Sequence, residues 1–120
     1  MVDLKAKPYY LSDEQIQWVE DTIASMTIEE KIGQLFVNMV TDRDPEELKR
    51  VINTYHPGAI RYHNTNAEAL YEQNKTLQEA SRIPLLIASN CEGGGNGGVG
   101  GAPAMANGAA VAATGSEEVA

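Results

Sequence analysis

Four consecutive apolar residues, Leu85-Leu86-Ile87-Ala88, lie between Pro84 and the polar run that starts at Ser89. The stretch has strand length and no in–out alternation. A strand of that kind needs cover on both faces, which is the habit of parallel sheets. Two more segments read as strands: Leu35-Phe36-Val37, after Gly33 and before the polar Thr41-Asp42-Arg43-Asp44, and Gly58-Ala59-Ile60-Arg61-Tyr62. What separates them decides the fold class.

Helices separate them. Asp44-Pro45-Glu46-Glu47 supplies an N-cap, a proline in the first turn and acids facing the positive end of the dipole. Leu48, Val51, Ile52 and Tyr55 follow at i, i+3, i+4, i+7, and His56-Pro57-Gly58 stops the run. Asn66 caps a helix that carries Leu70, Leu77 and Ala80 and ends before Pro84. Upstream, Ser12 with Gln15 forms a capping box ahead of the stripe Ile16, Val19, Ile23, with Trp18 off that stripe. Thr27 with Glu30 opens a short helix through Lys31, which Gly33 breaks. An Ala-rich helix is expected from about Ala104 through Glu117-Glu118. Strands alternating with helices give right-handed βαβ units and a parallel sheet. Three strands are few for such a sheet, so the chain reads as the opening of a larger α/β domain; a complete small α/β domain is the competing reading.

The charge of −8, with a pI near 4.6, argues against nucleic acid or an anionic membrane as partner, since both require cationic surface. The first residues lack the apolar run of a secretory signal, and no stretch reaches the ~20 apolar residues of a membrane helix. Cys91 is the single cysteine. The expected setting is therefore soluble and cytoplasmic.

After the third strand comes Asn90-Cys91-Glu92-Gly93-Gly94-Gly95-Asn96-Gly97-Gly98-Val99-Gly100-Gly101, seven of twelve residues being glycine. Gly95 to Gly100 matches G-x-G-x-x-G. A dinucleotide turn needs its first glycine at the strand end and its third inside the next helix. Gly95 stands well beyond Ala88, and Gly101-Ala102-Pro103 is no helix interior, so nucleotide binding is disfavoured. The position matters more. Ligands of parallel α/β folds sit at the C-terminal strand ends, where Asn90 and Glu92 lie. Their donors and acceptors suit sugar hydroxyls, and glycines allow backbone to approach a ligand.

Several stretches in order resemble one family. They are Met26-Thr27-Ile28-Glu29-Glu30-Lys31-Ile32-Gly33-Gln34-Leu35-Phe36, His56-Pro57-Gly58-Ala59-Ile60, Gln73-Asn74 with Leu77-Gln78, Ile83 to Ala88, Glu92-Gly93-Gly94 and Met105-Ala106-Asn107-Gly108-Ala109. Together they are similar to the start of the catalytic domain of family 3 glycoside hydrolases, over about Trp18 to Ala120. The resemblance implies an α/β fold made of the first three βα units of a (β/α)8 TIM-type barrel, incomplete, with residues 1–11 as an N-terminal extension of a barrel domain over 1–120. It implies retaining hydrolysis of terminal β-linked sugars, of β-N-acetylglucosaminidase or β-glucosidase type. An Asp nucleophile forms a glycosyl-enzyme, and a His-Asp pair or a Glu acts as acid and base.

The family commonly has Asp, any residue, then Glu-Gly-Gly after the third strand, the Asp binding sugar hydroxyls. Here Asn90 stands at the Asp position, and Glu92, Gly93 and Gly94 match. Substrate binding is thus expected at Asn90, Glu92 and Arg61, the last at the same rim as a ligand contact or salt-bridge partner. No catalytic residue, cofactor or metal is expected within these residues, and the chain alone is expected to be inactive. A non-catalytic carbohydrate-binding or interaction module from the same barrel is the alternative. An incomplete barrel leaves open strand edges, so the isolated chain is expected to be unstable or to associate with copies of itself.

Other features read as structural. Cys91 lacks a local Cys-His pattern, and His56 and His63 lack the spacing and third ligand of a metal site. Glu29-Glu30, Glu46-Glu47 and Glu117-Glu118 read as first-turn acids. Asn74-Lys75-Thr76 matches a glycosylation acceptor but falls in mid-helix.

Overall fold

The computed structural model describes residues 2–41 and 44–119. Asp42 and Arg43, in the expected polar boundary after the first strand, and Ala120 lie outside the described residues. The order is α1 (Asp13–Ser25), α2 (Ile28–Gly33), β1 (Val37–Val40), α3 (Pro45–Tyr55), β2 (Ala59–Tyr62), α4 (Ala67–Ala80), β3 (Leu86–Ala88), a 3-10 turn (Gly95–Gly97) and α5 (Gly108–Ala113).

Local chemistry sets the helix starts. Ser12 with Gln15 and Thr27 with Glu30 form complete capping boxes. The Asp44 side chain accepts from the Glu46 amide, and that of Asn66 from the Ala69 amide. Each such cap is worth about 1 kcal/mol. His56 ends α3 in the left-handed region, φ 47°.

The three strands form one parallel sheet in the order β1-β2-β3. Sequential order with right-handed crossovers sends both connecting helices to one face. Accordingly α3 and α4 pack against each other. The register sorts the side chains: Asn38, Ile60 and Ile87 share one face with Val40 and Tyr62, while Val37, Ala59 and Leu86 share the other with Met39, Arg61 and Ala88. On the helix-covered face, Val40 and Ile60 join Leu48, Ile52, Leu77 and Leu85 in the core, with Tyr62 and Ala80 against it. Each fully buried aliphatic side chain contributes roughly 1.5–3 kcal/mol.

The opposite face is bare. Leu86 is 75% exposed and Val37 61%. The apolar pattern of the third strand predicts cover on both faces; sequential strand order puts both crossover helices on one side, which leaves Val37 and Leu86 exposed on the other, where only the central Ala59 is buried among the described strand residues.

A clamp ties α4 to β3. Gln78 Nε2 donates to the Leu85 carbonyl at 2.9 Å, and its Oε1 accepts from the Leu85 amide at 3.0 Å. The side-chain amide thus substitutes for a strand partner.

Three expectations shift. The first strand begins at Val37 rather than Leu35, because Leu35 and Phe36 still donate to Ile32 and Gly33 in the turn that closes α2. Gly33 is the last residue of α2 rather than its break. The last helix is only Gly108–Ala113, capped by Asn107 and followed by Gly115 at φ 65°, so Glu117 and Glu118 are not first-turn acids. Trp18 is 55% exposed, and α1 buries no residue.

Candidate functional site

The C-terminal ends of the strands gather the polar residues that the sequence singled out. Arg61 is the third residue of β2 and lies on the bare face. Its Nε donates to Asn90 Oδ1 at 2.9 Å, and Nη1 approaches Met39 Sδ at 3.6 Å. One half-buried guanidinium therefore spans from β1 across β2 to the segment after β3. Arginine can only donate, so Asn90 must turn its carbonyl oxygen inward. Its Nδ2 is then left as an outward donor. Glu92, two residues on, is exposed. Arg61 and Asn90 are brought together; no contact joins Glu92 to them.

The glycine run is a folded cap on this rim and not a linker. The Met105 amide donates to the Gly93 carbonyl at 2.6 Å, and Gly94 bridges Ala104. Gly94 has φ +100°, a conformation side chains rarely adopt. A Cβ on Gly97 would stand 1.9 Å from the Asn90 carbonyl oxygen. The glycines permit close approach of the loop to its own backbone, where sequence reading had them admit a ligand. The cap is also tied to the β2–α4 connection. Asn64 Nδ2 donates to the Asn96 carbonyl, and the Gly100 amide donates to the Thr65 carbonyl at 2.7 Å. These ties at Asn64, Thr65 and Asn96 had no signature in the sequence, since nothing in a loop's composition tells which other loop it meets. The G-x-G-x-x-G spacing falls on the 3-10 turn, and the next helix starts only at Gly108, so no helix N-terminus faces it.

Cys91 is exposed, with Sγ 3.3 Å from Ser89 Oγ. Among the described residues no group of three His, Cys, Asp or Glu could hold a metal ion. Asn74 Oδ1 is buried in α4, which does not suit an acceptor for a glycan. Among the described residues, Lys5 is raised by its hydrogen bond to Asp13 and by that carboxylate's charge, Lys49 likewise by Glu46 and Arg50 by Glu47, and none of these is Arg61, Asn90 or Glu92. A concavity of about 130 Å³ lies at the other end of the sheet, lined by Gln34, His56, Pro57 and Ile83 among others. Parallel sheets place ligands at the C-terminal strand ends, so this pit is not taken as the site. No described helix is long and apolar enough to cross a membrane.

Comparison with known proteins gives the rim its context. No family model matches the chain. It is 38% identical over 118 residues to a β-N-acetylglucosaminidase/β-glucosidase of Cellulomonas fimi, covering 98% of this chain and 21% of that protein. The expected likeness to enzymes of β-N-acetylglucosaminidase or β-glucosidase type is found in this relative. Among solved structures, the chain is similar to the β-glucoside phosphorylase BglX bound to 2FGlc, with TM-score 0.68 and 42% identity over 90% of this chain and 19% of that one. A second BglX structure matches with TM-score 0.66 and 41% identity, over 90% and 18%. The chain thus spans about a fifth of the length of these relatives, and its three parallel strands with their helices are similar to part of such an enzyme.

Proposed function

We propose that this chain is the N-terminal part of the barrel domain of an enzyme that cleaves terminal β-linked sugars with retention. The observation that carries the reading is the 38% identity to a β-N-acetylglucosaminidase/β-glucosidase across 118 residues, which include Arg61, Asn90 and Glu92. The architecture supports it. Sequential parallel strands with helices on one face are what the first units of a (β/α)8 barrel require, and the bare face becomes the barrel interior once the sheet closes. The rim bearing Arg61, Asn90 and Glu92 is then the active-site end. Asn90 and Glu92 hold hydroxyls of the terminal sugar. The nucleophile and the acid/base are supplied by the rest of the enzyme, and these residues alone do not turn over substrate.

The two solved structures favour a second reading of the acceptor. Both are named β-glucoside phosphorylases, so phosphate in place of water is the alternative that releases the sugar.

The test uses the full-length protein with 4-nitrophenyl β-D-glucoside and 4-nitrophenyl N-acetyl-β-D-glucosaminide, with and without phosphate, following the product anomer by NMR. Release of a β-configured sugar or β-sugar phosphate is expected. Failure to cleave either glycoside, or an inverted product, would overturn the reading.

A further inference from the structure

We propose that Arg61 is a positioning residue for the sugar site: by bonding Asn90 Oδ1 it turns the Asn90 amide so that Nδ2, a donor, meets a hydroxyl of the terminal sugar. This rests on the glycosidase reading above. The last torsion of asparagine is broad, and its two amide orientations fill the same space, so the exposed Asn90 has no orientation of its own. The Arg61 guanidinium supplies one. It can only donate, and Nε lies 2.9 Å from Oδ1, so one orientation of the two makes the bond.

Arg61 is itself braced. It is the third residue of the central strand, with Met39 as register partner on one side and Ala88 on the other. Nη1 lies 3.6 Å from Met39 Sδ on the β1 side. On the β3 side the small Ala88 methyl leaves room for the guanidinium to reach Asn90, two residues further along the chain. The glycine cap holds the backbone there. A Cβ on Gly97 would stand 1.9 Å from the Asn90 carbonyl oxygen, and one on Gly98 would meet Ser89 Oγ at 3.2 Å and Cys91 Sγ at 3.4 Å. The cap thus fixes the main chain of Asn90 while Arg61 fixes its side chain. Precise placement of a substrate needs contacts held in this way.

The pairing sets the direction of the hydrogen bond to the sugar. Oδ1 and Nδ2 lie on opposite sides of Cγ, so Nδ2 points away from Arg61. The hydroxyl that meets it must accept. An Asp in the same place would present an oxygen on that side, and the hydroxyl would have to donate. Position 90 therefore determines specificity: fluorine, which accepts without donating, is tolerated in place of that hydroxyl with Asn90 and rejected with Asp.

The experiment compares full-length wild type with Asn90→Asp, Arg61→Met and Arg61→Lys. The substrates are the 4-nitrophenyl β-glycoside that the wild type cleaves, with one hydroxyl of the terminal sugar replaced in turn by fluorine or by hydrogen. The readout is the ratio of kcat/KM for the fluoro sugar to that for the deoxy sugar at each position. The inductive pull of fluorine is common to all the enzymes, and a loss of folded protein lowers both rates equally, so neither moves the ratio between variants. At one position the ratio is expected to fall about fivefold or more from wild type to Asn90→Asp, as for the loss of one neutral hydrogen bond. Arg61→Met keeps the reach of the side chain without a donor; the ratio should fall about threefold, and Arg61→Lys, which donates, should restore most of it. Arg61→Gln, whose amide offers Asn90 either an oxygen or an N–H, replaces Arg61→Met if that variant does not fold. A ratio that is the same in all variants at every position overturns the proposal and leaves the glycosidase reading intact. A fall in Asn90→Asp with none in Arg61→Met or Arg61→Gln shows an amide that keeps its orientation unaided, and overturns the role of Arg61. A full-length protein that cleaves no glycoside overturns the glycosidase reading and the proposal with it.

Discussion

At the scale of residues, the rim depends on contacts that a single atom would break. Gly97 has no room for a Cβ, which would meet the Asn90 carbonyl oxygen at 1.9 Å. Gly97→Ala is expected to cost about 2 kcal/mol and to displace Asn90, seen as a lower midpoint in chemical denaturation. An unchanged midpoint would show that the cap yields freely. His56 is the opposite case. It holds φ 47°, where glycine is favoured, while its amide bonds to Ile52 regardless of side chain. His56→Gly is expected to stabilise the protein by about 1 kcal/mol, read as a rise in Tm. The place of Asn90 and Glu92 just after the third strand was legible because strand-end polarity is a local signal. The bond from Arg61 to Asn90 was not, since it joins residues 29 apart through the register of β2 and β3.

At the scale of elements, capping chemistry made four helix starts readable, because each cap uses residues within one turn. Strand limits depend on partners. Leu35 and Phe36 are apolar enough for a strand, but the sheet begins only where Val37 meets Ala59. The Gln78 clamp is a case of tertiary chemistry that periodicity does not reveal: an amide side chain, in a pattern that looks like surface helix, satisfies both backbone groups of buried Leu85. Gln78→Ala leaves that donor and acceptor unpaired. The expected loss is about 2–3 kcal/mol, measured by denaturant unfolding, with faster amide exchange in Leu85–Ala88. Loss of the midpoint without faster exchange there would place the effect elsewhere.

At the scale of the molecule, the dimensions are those of a slab. The radius of gyration is 18.5 Å and the shortest extent is 21 Å, against a radius of about 14 Å for a compact domain of this length. Two layers, one sheet and one set of helices, account for the thin dimension, and the sheet face with Val37, Met39 and Leu86 is left to solvent. These 120 residues on their own are expected to self-associate, with a sedimentation coefficient that rises with concentration. Leu86→Lys should reduce that rise. A monodisperse monomer over the same range would show that the face needs no cover. The parallel α/β class was legible from the helix–strand alternation, but the one-sided cover was not, because it follows from the direction of successive crossovers and not from any residue. The central claim is that the C-terminal rim of this sheet holds a terminal β-linked sugar. The most direct measurement is a crystal structure of the full-length protein soaked with glucose or N-acetylglucosamine. The account predicts sugar hydroxyls within hydrogen-bonding distance of Asn90 and Glu92 at the strand ends. A sugar bound elsewhere, with both side chains facing only solvent or protein, would contradict it.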